Sequence, residues 1–362
     1  MVMAMCTRKN NGQRWLDATA ANLIACYDKV LKTLRGEIPL PEVVEFFPTN
    51  FCTFACLYCR CNRYHGDASQ FLDTTVWGRA LDEFAHMGVK TVELSGGGEP
   101  LEHPHIKDIL NRMAEQGFRV GLITNGYMIA RKPELMDPLL RCGDWVRFSV
   151  DAVTDAVYRK IHGSGDLSYR ALREVICEMV RKVKAKGEVD QRPKIGVKFV
   201  IQKLNKDQII RAVDEALALG VHYVQFKWLE EHRYSVPSGE RGGALEDLSG
   251  KLAQVPKDRL TVDVLPGYGG SSAKERCLMS VLHPVIDWDG RVYICAFFHH
   301  RRESHCIGDI SHGPFFQFWG TASHRERIHA VDSRRCVPNC PVLRYSHVVE
   351  FIRKDAFRFS YI

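Results

Sequence analysis

The sequence predicts an α/β fold in which a partial (β/α)6 barrel precedes a small C-terminal α+β domain. Six β-rich runs alternate with amphipathic stretches between residues 43 and 228, and several of those stretches end in glycine, as helices commonly do. Strands that alternate with helices in this way form parallel βαβ units. Further along the chain, Asp289-Gly290 stands between two short apolar runs, which predicts a β-hairpin with a tight type I′ turn. A barrel of this kind places its functional site at the carboxyl ends of its strands.

The elements follow one another in a regular order. An N-terminal helical segment, 1–42, contains a helix over 15–34 that ends at Gly36. The barrel, 43–228, has predicted strands at 43–47, 91–94, 119–124, 145–150, 195–201 and 223–228, and predicted helices at 75–87, 106–116, 133–141, 169–185 and 206–219. A connector, 229–269, carries a short helix and a strand over 260–265. The hairpin domain, 270–345, has a helix near 315–329, and a helix near 342–357 extends into the C-terminal segment, 346–362.

Composition excludes several classes of protein. The chain has 362 residues, 45% of them hydrophobic, and 50 Lys+Arg against 43 Asp+Glu give a net charge of +7. This is a globular composition, without the long apolar run of a membrane span or a secretory signal at the N-terminus. Thirteen cysteines, an odd number in a chain of this length, indicate a reduced, cytoplasmic protein. The modest positive charge permits an anionic small-molecule substrate, and without a long Lys/Arg block the chain is expected to have neither nucleic acid nor membrane as a partner.

Three cysteines lie close together just after the first predicted strand. Cys52, Cys56 and Cys59 fall within eight residues, so their thiolates can converge on one metal centre. Three ligands suit a four-iron cluster that keeps one iron open. A zinc site completed by Cys61 or His65 and a set of unrelated thiols remain alternatives.

A glycine-rich segment with one carboxylate follows the second predicted strand, Ser95 to Pro100. Glycines allow a ligand to approach the backbone closely, and the Glu99 carboxylate beside them can bind an ammonium group. An ordinary turn between a strand and a helix remains the alternative.

Taken together, these two segments resemble the motifs of the radical S-adenosylmethionine enzymes. The family's CxxxCxΦC motif, with an aromatic Φ, corresponds to Cys52, Cys56, Tyr58 and Cys59, and its GGE motif corresponds to residues 97–99. The resemblance covers about residues 43–228. It implies that the three cysteines hold a [4Fe–4S] cluster whose open iron binds S-adenosylmethionine.

The resemblance also implies roles for other residues in binding S-adenosylmethionine. Tyr58 is expected near the adenine, and the Gly97-Gly98-Glu99 segment near the methionyl ammonium. Ser149 and Asp151, at the end of the fourth strand, correspond to contacts with the ribose and the methionyl carboxylate. Two weaker candidates are Arg170, with a solvated arginine as the alternative, and Phe226, with a core aromatic as the alternative.

A second group of cysteines lies near the C-terminus. Cys277, Gly290 and Cys295 have the Cys–x12–Gly–x4–Cys spacing that resembles the auxiliary-cluster domains called SPASM and, in shortened form, twitch. The resemblance implies that Cys336 and Cys340 complete the ligands of a second, auxiliary [4Fe–4S] cluster. The CxxCxxxxxC core of a full SPASM domain is absent, so the shorter twitch form fits better. Cys306 as a ligand, a structural zinc and free thiols remain alternatives.

The remaining polar and cysteine residues carry weaker signals. The catalytic residue is not identified by the sequence, and Lys227, Glu230 and His299 are the candidates, with Glu231 and His232 as neighbours in the chain. A basic loop, 299–305, is either an anion-recognition loop or a solvated one. Four further cysteines are expected to be buried as small hydrophobic residues: Cys6, Cys26, Cys142 and Cys177.

The resemblance predicts an enzyme that cleaves S-adenosylmethionine reductively and abstracts hydrogen from its substrate. An external donor such as flavodoxin or ferredoxin would supply the electron. The C-terminal spacing is similar to that of a sugar-alcohol dehydrogenase of aminocyclitol biosynthesis, which favours a small polar substrate of the sugar, cyclitol or nucleoside type. One alternative is an enzyme that modifies a ribosomally made peptide, and another is a non-catalytic zinc-binding protein.

Overall fold

The structure is a computed structural model that describes most of the chain. It describes residues 25–61, 66–187, 192–230, 232–256, 258–265 and 277–332, together with Cys336, Cys340, Tyr345, Ser346 and Val349. The chain divides into two compact units, one of residues 46–74 and 92–267, the other of residues 1–45, 75–91 and 268–362. Among the described residues, no helix is both long and apolar enough to cross a membrane.

The larger unit is built on a parallel sheet. Its strands are the end of β1 (Val43–Phe46), β2 (Thr91–Leu94), β3 (Arg119–Thr124), β4 (Gly143–Ser149), β5 (Lys194–Ile201), β6 (Tyr223–Trp228) and β7 (Thr261–Leu265). The Ser95 N–H donates to the Phe46 carbonyl, which places the end of β1 beside β2, and the later strands follow in sequence order. The pairs β3–β4, β4–β5, β5–β6 and β6–β7 are all parallel. The predicted α/β class and partial barrel are confirmed.

Helices connect these strands. They are α3 (Ile106–Glu115), α4 (Tyr127–Arg131), α5 (Met136–Cys142), α6 (Asp155–His162), α7 (Tyr169–Lys184), α8 (Ile209–Leu219) and α9 (Arg241–Ala253). Helix α7 shows why they form, because Leu172, Val175, Ile176 and Met179 recur at helical spacing and are buried. Its N-terminus is capped by Ser168, whose side chain accepts the Ala171 N–H at 3.1 Å.

The smaller unit contains α1 (Tyr27–Leu34), α2 (Thr74–Met87), β8 (Val285–Ile286), β9 (Arg291–Tyr293), α10 (Arg302–His305), β10 (Cys306–Asp309) and α11 (Ala322–His329). Strand β9 pairs antiparallel with both β8 and β10. One apolar cluster joins Val281, Leu282, Ile294 and Ile328. Helix α1 packs its buried Val30 against Val349, so the N-terminal helix and the C-terminal segment share a core.

Several local predictions differ from the structure. Asp289 does not have the positive φ that a type I′ turn requires, whereas Gly290 does, with φ of 83°. The Gly290 N–H donates to the Asp287 carbonyl, so the hairpin has a three-residue loop that ends in a left-handed glycine. The helix predicted near 315–329 is a 3-10 turn, Phe315–Gln317, followed by α11, because Thr321 caps a new helix. The predicted connector, 229–269, contributes α9 and β7 to the larger unit.

Some predictions fall on residues outside the described part. These are the first part of the N-terminal helix, 15–24, and most of the helix near 342–357. Helices α4 and α6 were not predicted, because each is too short for a clear hydrophobic period.

Candidate functional site

The cysteine loop after β1 is fixed to the larger unit by one buried aromatic side chain. Phe54, only 2% exposed, lies between Cys52 and Cys56 in the sequence. Its ring packs within 6.0 Å of Tyr127 and His162 and 6.5 Å of Tyr158, measured between ring centroids. The loop is therefore anchored at its middle while its cysteines stay half-buried.

Backbone hydrogen bonds hold both sides of the loop. The Ala55 and Leu57 N–H groups donate to the carbonyls of His162 and Ile161 at the end of α6, at 3.1 and 2.8 Å. The Thr53 N–H donates to the Glu102 carboxylate at 3.0 Å. The loop conformation thus depends on two distant parts of the chain.

The three thiols of the loop lie near one another. Burial raises the pKa of Cys52 and of Cys56 above the ordinary range. Glu99, Glu102 and the Cys59 thiol raise that of Cys52 further, and the Cys59 and Cys52 thiols raise that of Cys56. A thiolate is disfavoured here unless a cation compensates its charge, as iron does on binding. Among the described residues, no three His, Cys, Asp or Glu side chains are arranged to hold one metal ion. In a four-iron cluster each cysteine binds a different iron, so three neighbouring thiols can hold one cluster.

The glycine segment after β2 lies directly against the cysteine loop. The Gly98 N–H donates to the Thr49 carbonyl at 3.1 Å, and the Glu99 N–H donates to the Phe51 carbonyl at 2.8 Å. A Cβ atom at Gly98 would clash with the Phe51 backbone, so glycine is required for this close approach. The structure thus brings together the two motifs that the sequence analysis singled out.

Glu99 links the ends of two strands. Its buried carboxylate accepts the Thr124 hydroxyl at 2.6 Å, the Asn125 N–H at 2.8 Å and the Leu101 N–H at 3.3 Å. Burial raises the pKa of Glu99 to about 7, although the hydrogen bonds from Thr124 and Asn125 oppose the shift. The side chain has a structural role in addition to its predicted contact with an ammonium group.

Tyr58 and Asp151, two predicted site residues, are in direct contact. The Tyr58 hydroxyl donates to the Asp151 carboxylate, which is fully buried and also accepts the Val200 N–H. Asp151 has φ of 54°, a strained conformation for a residue other than glycine. Asn205 stabilises it by donating to the Asp151 carbonyl at 2.7 Å. Strain that is held by several hydrogen bonds is typical of functional sites.

His162 completes this group, although the sequence analysis did not identify it. One ring nitrogen lies 3.2 Å from the Cys56 sulfur, and the other lies 3.0 Å from the Val150 carbonyl oxygen. Burial lowers the pKa of His162, so the ring is neutral near pH 7 even with Asp151 3.5 Å away. No sequence pattern identifies this histidine, because the short helix that it ends, α6, has no clear hydrophobic period.

The other predicted binding residues are dispersed. Ser149 is half-buried at the end of β4. The Arg170 side chain is 84% exposed and pairs with Glu174 at 3.5 Å, as in the solvated alternative. Phe226 is fully buried against Phe199, at 5.7 Å between centroids. The expected contact of Phe226 with adenine is therefore corrected to a core position.

The three candidate catalytic residues have different surroundings. Lys227 is half-buried on β6. Glu230 forms a two-point ion pair with Arg241, at 2.6 and 2.8 Å, which is a structural role. His299, in the smaller unit, stacks on Phe298 at 4.4 Å between centroids. Glu231 lies outside the described residues.

The four C-terminal cysteines lie near one another in the smaller unit. Burial raises the pKa of Cys295 to about 12, and the thiols of Cys277, Cys340 and Cys336 raise it further. The Phe297 N–H donates to the Cys295 sulfur at 3.3 Å, a bond that also suits a cluster ligand. These are the four residues that the spacing indicated.

The remaining cysteines have different surroundings. Cys306 begins β10 opposite Tyr293, and its thiol lies 3.5 Å from the Gly308 carbonyl oxygen. Cys142 is buried as expected, whereas Cys26 and Cys177 are only half-buried. Cys61 is half-buried too, and both Cys6 and His65 lie outside the described residues.

Several residues of the basic loop after Cys295 already have partners within the protein, so neither the solvated loop nor the anion-recognition loop describes all of it. Arg302 pairs with Asp287 at 3.0 Å and with Asp289 at 2.6 Å. Arg301 lies 3.9 Å from the Cys336 sulfur. Burial lowers the pKa of His305 to about 4, so that ring is neutral.

Known protein families match the two regions that contain these groups of cysteines. A model of the radical SAM superfamily matches residues 46–226, half of the chain, and a model of an iron–sulfur cluster-binding domain, SPASM, matches residues 277–341. The chain is 29% identical over 201 residues to a PqqA peptide cyclase of Ruegeria pomeroyi, covering 55% of this chain and 50% of that protein.

Two further proteins share parts of the sequence or the fold. One is a cofactor-modifying protein for tungsten-containing aldehyde ferredoxin oxidoreductase of Pyrococcus furiosus, 29% identical over 48% of this chain and 47% of that one. The chain thus spans about half the length of these curated relatives. The other is Streptococcus suis SuiB bound to its precursor peptide SuiA, whose structure has a TM-score of 0.65 at 15% identity, covering 90% of this chain and 74% of that one. This protein belongs to the radical SAM superfamily of enzymes.

Proposed function

We propose that this protein is a radical SAM enzyme that modifies a peptide. The observation that carries the proposal is the pairing, in one chain, of a radical SAM segment with a C-terminal cluster-binding domain and a peptide cyclase as a relative. The sequence alone favoured a small polar substrate. That preference depended on the spacing of the C-terminal cysteines, which does not report what the barrel binds. The relatives support the peptide alternative better.

The first site fits a [4Fe–4S] cluster and S-adenosylmethionine. Cys52, Cys56 and Cys59 would each bind one iron and leave the fourth iron open to S-adenosylmethionine. When bound, these groups supply a 5′-deoxyadenosyl radical that takes a hydrogen atom from the substrate. The protein supplies binding, orientation and exclusion of water.

Residues around the cysteine loop would orient S-adenosylmethionine. Glu99 is held by Thr124 and Asn125, so its carboxylate has one fixed position beside the loop. Tyr58 and Asp151 are joined by a buried hydrogen bond, which fixes the aromatic ring of the cysteine motif. Rigid groups of this kind lose little entropy when a ligand binds.

The second site would hold the auxiliary cluster through Cys277, Cys295, Cys336 and Cys340. Its role would be electron transfer or anchoring of the substrate. The external electron donor would be a small redox protein of the flavodoxin or ferredoxin type.

The test uses the whole protein, reconstituted anaerobically with iron and sulfide. It is incubated with S-adenosylmethionine, a reductant and a random-sequence peptide library, and in parallel with a pool of sugars, cyclitols and nucleotides. We expect the peptides to increase the formation of 5′-deoxyadenosine, and some of them to change in mass. The Cys56→Ala variant is the control for background cleavage. Stimulation by the small-molecule pool alone would show that the proposed substrate class is wrong.

A further inference from the structure

The parallel sheet of the larger unit has two chemically different faces. On β4, β5 and β6 alternate residues are buried and apolar, among them Phe148, Phe199 and Phe226. The opposite face of the same strands carries half-buried polar side chains, which are Arg147, Ser149, Lys198, Gln225 and Lys227. A charged residue within a strand of a parallel sheet is costly unless it has a function or a partner.

The strand register sets these side chains side by side. Ser149 pairs with Lys198, and Lys198 pairs with Gln225, so the three form one row across β4, β5 and β6. Arg147 lies in the next row toward the amino ends of the strands. Lys227 lies one row further toward the carboxyl ends. Three cations therefore occupy three successive rows of one face.

Two aromatic rings lie on this face beside the cations. A Cβ atom at Gly196 would meet the Tyr223 ring, and one at Gly121 would meet the Trp145 ring, so both rings lie flat across a neighbouring strand. The Arg147 guanidinium is 5.5 Å from the centre of the Trp145 ring. The two rings thus form an apolar surface beside the cations, in the direction of the amino ends of the strands.

Two of the cations have unused donors. Arg147 donates one N–H to the Gln225 side chain at 3.2 Å, while its Nε is buried without an acceptor among the described residues. The Lys198 ammonium makes no hydrogen bond or ion pair within the described part of the chain. A buried donor without an acceptor, such as the Arg147 Nε, is rare in native proteins and is expected to meet a ligand or water.

The surrounding charges are unfavourable for Lys198. Burial lowers its pKa to about 7, and Arg147 and Lys227 lower it further. Asp151 and Glu93 act in the opposite direction but do not cancel the shift. Tyr223 is a further ionisable group near this face, and the Asp263 carboxylate on β7 extends the row of Lys198, because Asp263 pairs with Gln225. An additional negative charge would therefore stabilise the protonated lysine.

We propose that Arg147, Lys198 and Lys227 form a subsite for a carboxylate of the substrate. This proposal rests on the proposed function. The ligand is a peptide that places an acidic side chain or its free C-terminus on this face. The guanidinium offers a planar pair of donors, which suits a carboxylate, and the ammonium supplies the second charge. The carboxylate would set which residue of the peptide faces the reacting site at the carboxyl ends of the strands.

The experiment measures the reactivity of Lys198 in the reconstituted protein with S-adenosylmethionine present. A short pulse of acetic anhydride at pH 7 labels neutral amines, and mass spectrometry compares Lys198 with the exposed Lys107. The probes are a blocked pentapeptide with a central glutamate, the same peptide with glutamine, and free glutarate with its diamide. A nearby carboxylate raises the lysine pKa by about one unit or more, so labelling of Lys198 should fall about fivefold.

We expect the glutamate peptide to protect Lys198 and the glutamine peptide to leave it reactive. In Arg147→Met, and more weakly in Lys227→Met, this protection should be lost while labelling of Lys107 stays constant. Equal protection by both peptides would overturn the proposal, as would protection that survives in Arg147→Met. If S-adenosylmethionine alone protected Lys198 completely, the three cations would bind the cofactor and not the substrate, and the proposal would be overturned as well. Protection by glutarate but not by the glutamate peptide would keep the carboxylate subsite and reject the peptide substrate.

Discussion

The two cysteine sites are built in different ways. The first takes its three cysteines from one loop, residues 52–59, which is anchored by Phe54 and by backbone bonds to α6. The second takes its four cysteines from a hairpin and a later segment, between positions 277 and 340. A local motif is visible in the sequence as a spacing. A dispersed site depends on the fold to bring its members together.

The charges near the two sites also differ. Glu99 and Glu102 raise the pKa of Cys52, and Asp151 raises that of Cys56, so carboxylates surround the first group of thiols. At the second group the Arg301 guanidinium lies 3.9 Å from the Cys336 sulfur. Negative surroundings disfavour the addition of an electron to a cluster, and a nearby cation favours it. This difference suits a donor of electrons at the first site and an acceptor at the second.

The largest expected effect follows loss of any cysteine of the first site. Cys52→Ala, Cys56→Ala or Cys59→Ala should abolish the formation of 5′-deoxyadenosine, because each thiolate binds one iron. Chromatography of an anaerobic reaction measures it. If one of these variants formed 5′-deoxyadenosine normally, that cysteine would not be a ligand of the first cluster, and the contrast between the two sites would be wrong.

The second prediction separates the sites by iron content. The wild type should contain about eight irons, from two four-iron clusters. The double variant Cys277→Ala/Cys295→Ala should lose about half of that iron and still cleave S-adenosylmethionine slowly, without making product. Iron analysis and product assays measure this, and Cys306→Ala is the matched control that should keep all of its iron. Loss of iron in the control would make Cys306 a ligand and the twitch resemblance looser.

The third prediction concerns the first site alone. Glu99→Ala should weaken the binding of S-adenosylmethionine about tenfold or more, since a charge-assisted hydrogen bond contributes roughly 1.5–3 kcal/mol. The iron content should stay unchanged. Equilibrium dialysis of the reconstituted protein measures the affinity.

The control for this variant is Thr124→Val, which removes one hydrogen bond to Glu99 but keeps the carboxylate. If Thr124→Val weakens binding as much as Glu99→Ala, the glycine segment acts only by holding the strand ends in place.

The smallest expected effect concerns the cation at the second site. Arg301→Gln should lower the reduction potential of the auxiliary cluster by some tens of millivolts, because a positive charge near Cys336 is lost. The potential of the first cluster should stay constant. A redox titration followed by electron paramagnetic resonance measures both, and an unchanged auxiliary potential would mean that the Arg301 charge does not distinguish the sites.

The structure explains which site predictions could be made from the sequence. The GGE segment and the cysteine loop lie together because the strands that they follow are neighbours, and the ends of those strands share one edge of the sheet. Phe226 and Glu230 could not be placed in this way. A strand directs its residues to two faces, so only the packing against Phe199 shows the role of Phe226. Glu230 follows the end of β6, and only its ion pair with Arg241 shows its role.

The sequence by itself determined the α/β class, the order of the strands and both groups of cysteines. Each of these depends on a short-range pattern: hydrophobic period, glycine position or cysteine spacing. Only the tertiary structure decided the contacts between residues far apart in the chain, such as Cys56 with His162, Tyr58 with Asp151, and Ser149 with Lys198. The physical reason is that strand register and loop anchoring depend on the packing of the whole unit, which no local pattern specifies.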